Sequence, residues 1–209
     1  MTTLEDLSNL LLPARCALCS RLPRPICESC WEQLSFRARD VYKGELAGVA
    51  ICEYKGAIAD LLNEFKERGQ VRLGKRLADQ ILLLIEKPSV AAIAYAPSSR
   101  KNFAKRGYVP AKIIAAQIAR AWRLPLLKFQ LVGARMDQAE LDRLQRLDNL
   151  VGSMRLRRPL LGKRILLVDD IVTTGATLCE MARAIGEAGG HASGFITVAE
   201  TLPKSLTKI

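Results

Sequence analysis

Apolar residues recur along this chain in two rhythms. Ile58, Leu61, Leu62 and Phe65 fall three and four positions apart after Gly56, which places them on one face of a helix. The same spacing returns with Leu77, Ile81, Leu84 and Ile85, in a helix predicted over 73–86. Gly69 separates the two, and Pro88 stops the second because it has no amide hydrogen to continue the ladder. Short apolar runs read instead as buried strands: VAICEY at 49–54, SVAAIAYAP at 89–97, ILLV at 165–168 and SGFITVAE at 193–200. A helix is expected over 110–122, with Pro110 in its first turn, and another over 175–188, closed by Gly189-Gly190. A short helix is expected after Trp31, a linker at 40–48, and a polar basic loop over SSRKNFAKRGY at 98–108. Strands alternating with helices predict an α/β fold, a mostly parallel sheet flanked by helices.

Composition alters this picture little, and charge alters it more. The chain has 209 residues, 49% hydrophobic and 25% charged, as expected of a globular protein with one ordinary domain and a small appendage. No apolar run approaches the ~20 residues of a membrane span, so no membrane insertion is expected. The start, MTTLEDLSNLLLP, carries Glu5 and Asp6 where an export signal would be basic, so the expected location is cytoplasmic. The formal net charge is +11. Residues 1–40 balance five basic against five acidic side chains, so the whole excess lies in 41–209. Such an excess suits a polyanionic partner, either a phosphorylated small molecule or nucleic acid, or is simply a solvated basic surface.

The balanced segment holds the first candidate chemistry. In CALCSRLPRPICESC, Cys16 and Cys19 form one C-x-x-C pair and Cys27 and Cys30 another. Two such knuckles can complete a tetrahedral four-thiolate site for zinc. An iron–sulfur cluster, redox dithiols or a disulfide pair are the alternatives, the last belonging to oxidising compartments. A closed four-cysteine site has no open position for substrate, so its zinc is expected to be structural. Cys52 and Cys179 read as buried, inert thiols, and His191 as a surface residue. The expected organisation is a four-cysteine zinc-binding segment over 1–40 and the main domain over 41–209.

The second candidate is ILLVDDIVTTGATL, 165–178. In parallel sheets, ligands bind beyond the carboxyl ends of the strands, which is where this strand delivers Asp169 and Asp170. Thr173, Thr174, Gly175, Ala176 and Thr177 then turn into a helix, whose first amides and positive dipole end suit a phosphate monoester. The adjacent carboxylates suit the vicinal hydroxyls of a sugar, directly or through hydrated magnesium. A P-loop would need a lysine after the glycine, and only 39 residues follow Asp170, too few to complete a phospho-receiver fold. An ordinary strand–turn–helix would leave two buried like charges to be compensated.

The apolar strand, Asp-Asp and Thr-Thr-Gly-Ala-Thr together closely resemble the phosphoribosyl pyrophosphate (PRPP) signature of type I phosphoribosyltransferases. With the two C-x-x-C pairs, Trp31, LLNEFKERG, the strand ending at Pro97, RGY at 106–108 and the later Q…R-x-x-N, most of the chain resembles the ComF family. That family is phosphoribosyltransferase-like and associated with DNA uptake in competent bacteria. The resemblance implies the type I phosphoribosyltransferase fold, with Asp169 and Asp170 on the ribose hydroxyls and Thr173–Thr177 on the 5-phosphate. It implies a pyrophosphate loop at Pro97, Ser98, Ser99 and Arg100, with Arg106 just beyond, and a mobile loop containing Arg135, Gln138 and Arg146. Magnesium with PRPP is the implied cofactor, beside structural zinc. Two positions depart from the family pattern: Val109 stands where Asn is usual, and Tyr95-Ala96-Pro97 replaces Pro-x-Pro.

Two functions follow from this resemblance. One is transfer of a phosphoribosyl group from PRPP to an acceptor, with release of pyrophosphate. The other is a non-catalytic DNA-uptake factor, whose basic surface meets single-stranded DNA or a helicase-like competence protein. Aromatic residues make up 5% of the chain, which leaves little for base stacking.

Overall fold

A computed structural model describes residues 15–22, 25–132 and 150–202. Its strands are β1 (Arg39–Lys43), β2 (Leu46–Glu53), β3 (Ala92–Tyr95), β4 (Leu126–Leu127), β5 (Gln130–Leu131), β6 (Met154–Arg155), β7 (Arg164–Val172) and β8 (His191–Glu200). Its helices are α1 (Glu28–Glu32), α2 (Gly56–Glu67), α3 (Val71–Leu84), α4 (Arg100–Arg106), α5 (Pro110–Trp122) and α6 (Ala176–Glu187). The main sheet has six strands in the order β1-β2-β8-β7-β3-β4. Only β1 and β2 pair antiparallel in it; every other pairing is parallel. β5 and β6 form a separate antiparallel pair.

The sheet is covered on both faces, as β7 makes plain. Ile165, Leu166, Leu167 and Val168 are all buried, although successive strand residues point to opposite sides. α5 packs on β3 and β7, α6 on β7 and β8, and α3 lies against α5. The helix face expected from the spacing of Ile58, Leu61, Leu62 and Phe65 is the buried face of α2. Phe65 closes over Gly74 of α3, where a β-carbon would meet its ring at 2.5 Å.

Three expectations are corrected. The linker at 40–48 is the β1–β2 hairpin, whose Val41 is buried in the core; a single apolar residue among polar ones hid the strand. The basic loop at 98–108 contains α4. Ser99 Oγ accepts from the Asn102 amide at 3.2 Å to start that helix, and Gly107, at φ 75°, ends it. α4 buries no residue, so no hydrophobic period marks it. The short helix lies around Trp31 rather than after it.

The N-terminal segment is docked rather than tethered. Cys16 and Ile26 join the common core. The Arg76 guanidinium of α3 lies 4.3 Å from the centroid of the Trp31 ring and pairs with Glu28, and Trp31 packs on Phe36 at 4.9 Å.

Candidate functional site

The expected strand ends at Val168, but β7 continues through both aspartates to Val172. Its pairing with β8 persists beyond them, with Asp169 opposite Thr197, Ile171 opposite Ala199 and Val172 opposite Glu200. The acid pair therefore sits inside the paired C-terminal part of a central strand. Each carboxylate also accepts from the backbone amide that follows it: Asp170 N–H to Asp169 Oδ1 and Ile171 N–H to Asp170 Oδ1, both at 2.8 Å. These bonds aim the remaining oxygens. Burial, and next the Asp170 charge, push the Asp169 carboxyl well above its ordinary value.

Beyond β7 the chain turns through Thr173 and Thr174, both exposed, to Gly175. Gly175 is buried at φ 84°, a conformation that costs any residue with a β-carbon, and a β-carbon there would lie 2.4 Å from Lys43 Cβ. The turn thus needs glycine twice over. Among the described residues, the amides of Thr173, Thr174, Gly175 and Thr177 donate to no backbone carbonyl, while that of Ala176 reaches only Thr174 Oγ1 at 3.4 Å. Free amides at the start of a twelve-residue helix form an anion nest. Lys43, whose stem lies on Gly175, sends its ammonium to Glu200 Oε1 at 2.8 Å.

β3 runs beside β7, with Tyr95 opposite Val168, and the Ala96 amide donates to the Val168 carbonyl at 2.9 Å. Pro97, Ser98 and Ser99 therefore leave the sheet next to the acid pair, and Arg100 opens α4 exposed. Arg106, at the other end of α4, is turned inward and paired with Glu67 at 2.5 Å, as is Lys105. Lys105 first, then Arg106, holds the Glu67 carboxyl below the usual range. Val109 caps α5 without a side-chain hydrogen bond, so the departure at this position removes a cap that Asn would provide. Arg135, Gln138 and Arg146 lie outside the described residues.

Two residues that sequence reasoning passed over complete the arrangement. Lys66, in the last turn of α2, places Nζ 3.1 Å from Asp170 Oδ2. Tyr108 packs against Phe65 with the rings tilted and 5.9 Å between centroids, and its buried hydroxyl has no hydrogen-bond partner among the described residues. Burial, opposed in part by Arg106, pushes the Tyr108 phenol up to about 12, with Asp170 and Glu67 adding to the rise. The signal for Lys66 was available in LLNEFKERG, where it follows the last apolar residue of the helix face.

The four N-terminal cysteines also come together. Their sulfurs lie within 4.8 Å of one another, with Cys19 and Cys27 at 3.6 Å, and no disulfide joins them. Sulfurs at ~2.3 Å from a tetrahedral zinc stand about 3.8 Å apart, so the donor set fits that ion. The Ser29 hydroxyl, foremost, lowers Cys27 to about 6, whereas Cys27 in turn raises Cys30 to about 12. The thiols obstruct one another's ionisation, which a divalent ion would relieve. Cys52 is buried as expected, its thiol donating to the Val198 carbonyl at 3.0 Å. Cys179 is corrected: it stands on the open side of α6 and is exposed.

Residues 103–205, just under half of the chain, match the family model of the phosphoribosyl transferase domain. No curated protein matches the sequence. Among solved structures, the chain is similar to adenine phosphoribosyltransferase from Thermoanaerobacter pseudethanolicus at 16% identity and a TM-score of 0.44, over 78% of this chain and 83% of that one. It is similar to adenine phosphoribosyltransferase from Rhodothermus marinus at 16% identity and a TM-score of 0.39, over 83% and 88%. A purine phosphoribosyltransferase from Pyrococcus horikoshii is similar at 14% identity and a TM-score of 0.34, over 63% and 81%. The fold is mixed α/β, its sheet mostly parallel and flanked by helices, and the stretch that carries the acid pair and threonine loop is phosphoribosyltransferase-like.

Proposed function

We propose that the chain binds PRPP and transfers its phosphoribosyl group to an acceptor nucleophile. The bond between ribose C1 and the pyrophosphate oxygen breaks, a bond from C1 to the acceptor forms, and pyrophosphate leaves with the electron pair. The observation that carries this reading is the acid pair fixed at a strand end immediately before a nest of unbonded amides. Asp169 and Asp170 take the ribose hydroxyls, and the amides of Thr173–Thr177 take the 5-phosphate. Pro97–Arg100 and Arg106 take pyrophosphate. Carboxylate oxygens suit magnesium, which would offset the charge on the departing pyrophosphate. The protein's own part is to position the reactants and stabilise the leaving group. The four-cysteine segment, 1–40, holds structural zinc beside the transferase-like part, 41–209.

Calorimetric titration of the full chain with PRPP and magnesium tests this reading. The wild type should bind, and Asp169→Ala with Asp170→Ala should weaken binding by roughly a hundredfold or more, two charge-assisted contacts being removed. Unchanged affinity, or no binding by the wild type, overturns it.

The basic excess in 41–209 favours one further reading, a competence factor for DNA uptake that engages single-stranded DNA or a helicase-like partner. It expects salt-dependent binding of single-stranded DNA, and binding that is undetectable at low salt removes it.

A further inference from the structure

The last turn of α2 delivers a cation to the acid pair, and the rest of the fold holds it there. Phe65 is fully buried between Gly74 and Tyr108, so the backbone of Lys66 has little freedom to move away. The Lys66 side chain is 22% exposed and that of Asp170 9%, so their contact at 3.1 Å is weakly screened by water. An ammonium has three donors, and Asp170 Oδ2 takes one. Tyr108, which packs against Phe65, has a buried hydroxyl without a partner among the described residues. The donors that Lys66 has left over beside Asp170 are suited to the oxygens of a bound sugar.

We propose that Lys66 is a ligand-binding residue and the resident counter-cation of the acid pair, so that a ribose phosphate without pyrophosphate is bound with no divalent metal. The proposal rests on the PRPP reading and deepens it. The ammonium supplies at Asp170 the positive charge that a metal would otherwise bring, and it adds donors toward the sugar hydroxyls. Magnesium is then needed for the pyrophosphate of PRPP and not for charge balance at the acids. Lys66→Met leaves two adjacent carboxylates with no cation at 3.1 Å, a defect that an added divalent ion can fill.

The test is titration of the zinc-loaded full chain with ribose 5-phosphate, with magnesium omitted or supplied. The wild type should bind equally well in both conditions. Lys66→Met should bind roughly ten- to a hundredfold more weakly without magnesium, as for loss of a hydrogen bond between charged groups, and should recover when magnesium is added. Lys66→Arg, which keeps the cation, should bind without magnesium and guards against a folding defect in the methionine variant. Recovery by metal is a readout that a merely structural role would not move. Equal binding by Lys66→Met without magnesium, or a loss that magnesium does not repair, overturns the proposal. A wild type that binds PRPP with magnesium yet requires the metal for ribose 5-phosphate overturns this inference alone. A wild type that binds neither ligand overturns the PRPP reading as well.

Discussion

Two places in this molecule crowd like charges, and they relieve the crowding differently. At the end of β7, Asp169 and Asp170 are adjacent, and the chain supplies a partner of its own, with Lys66 3.1 Å from Asp170. At the N-terminus, four thiols lie within 4.8 Å of one another, and the described ion pairs bring no cation to them. Cys27 is lowered to about 6 while Cys30 is pushed up to about 12, so one thiolate forms at the expense of another. Asp170 is compensated from within, by a side chain 104 positions away in the sequence. The thiol cluster needs an ion from outside. A site compensated from within keeps its oxygens free to exchange ligands, whereas one closed by a resident metal becomes a staple.

The largest expected effect is on the thiol side. Chelation of zinc, or Cys30→Ser, should release the segment around Trp31 while the main sheet stays folded. Structural zinc sites contribute on the order of 10 kcal/mol, far more than the Trp31–Arg76–Glu28 contacts that would remain. Trp31 fluorescence should shift to longer wavelength with little change in far-ultraviolet circular dichroism. Purified protein with neither near-equimolar zinc nor iron would end the metal reading.

A smaller effect is expected in the nest beside the acid pair. Gly175→Ala must accommodate a β-carbon 2.4 Å from Lys43 Cβ at φ 84°. It should cost about 1–3 kcal/mol, by left-handed strain and overpacking together. Thermal melting reads it as a loss of several degrees, and an unchanged melting temperature would mean the turn can shift.

The smallest effect has the more informative sign. The Asp169 carboxyl is raised in the folded protein, so the native state holds its proton more tightly than the unfolded chain does. Its penalty is absent below the ordinary value of 3.8, grows as pH rises through the folded value, and is constant above that. Asp169→Asn cannot ionise and escapes the penalty. It should therefore be more stable than the wild type at neutral pH, by roughly 1 kcal/mol or about 2–4 °C, with the gain vanishing toward pH 3.5. Melting curves from pH 3.5 to 7.5 check this, and a variant less stable at neutral pH would show that Lys66 already compensates both acids.

Much of this was legible in the residues. The amphipathic face of α2, the buried run of β7, the threonine turn and the paired C-x-x-C knuckles are local patterns, carried by neighbours within a few positions. What the patterns lacked was everything that depends on distant segments meeting. α4 buries nothing, so it left no period to read. β1 buries one apolar residue and passed for a linker. The resemblance placed Arg106 just beyond the pyrophosphate loop, and the structure pairs it with Glu67, a contact across 39 positions.

The sequence by itself determined the α/β alternation, the four-thiol set and the acid pair followed by a glycine-hinged turn, because each rests on spacing and residue type alone. Tertiary structure alone decided how those charges are balanced. It brought Lys66 to Asp170, Glu67 to Arg106 and Arg76 onto Trp31. Ion pairs are set by distance in space, and no local period in the chain encodes which helix turn will close on which strand end.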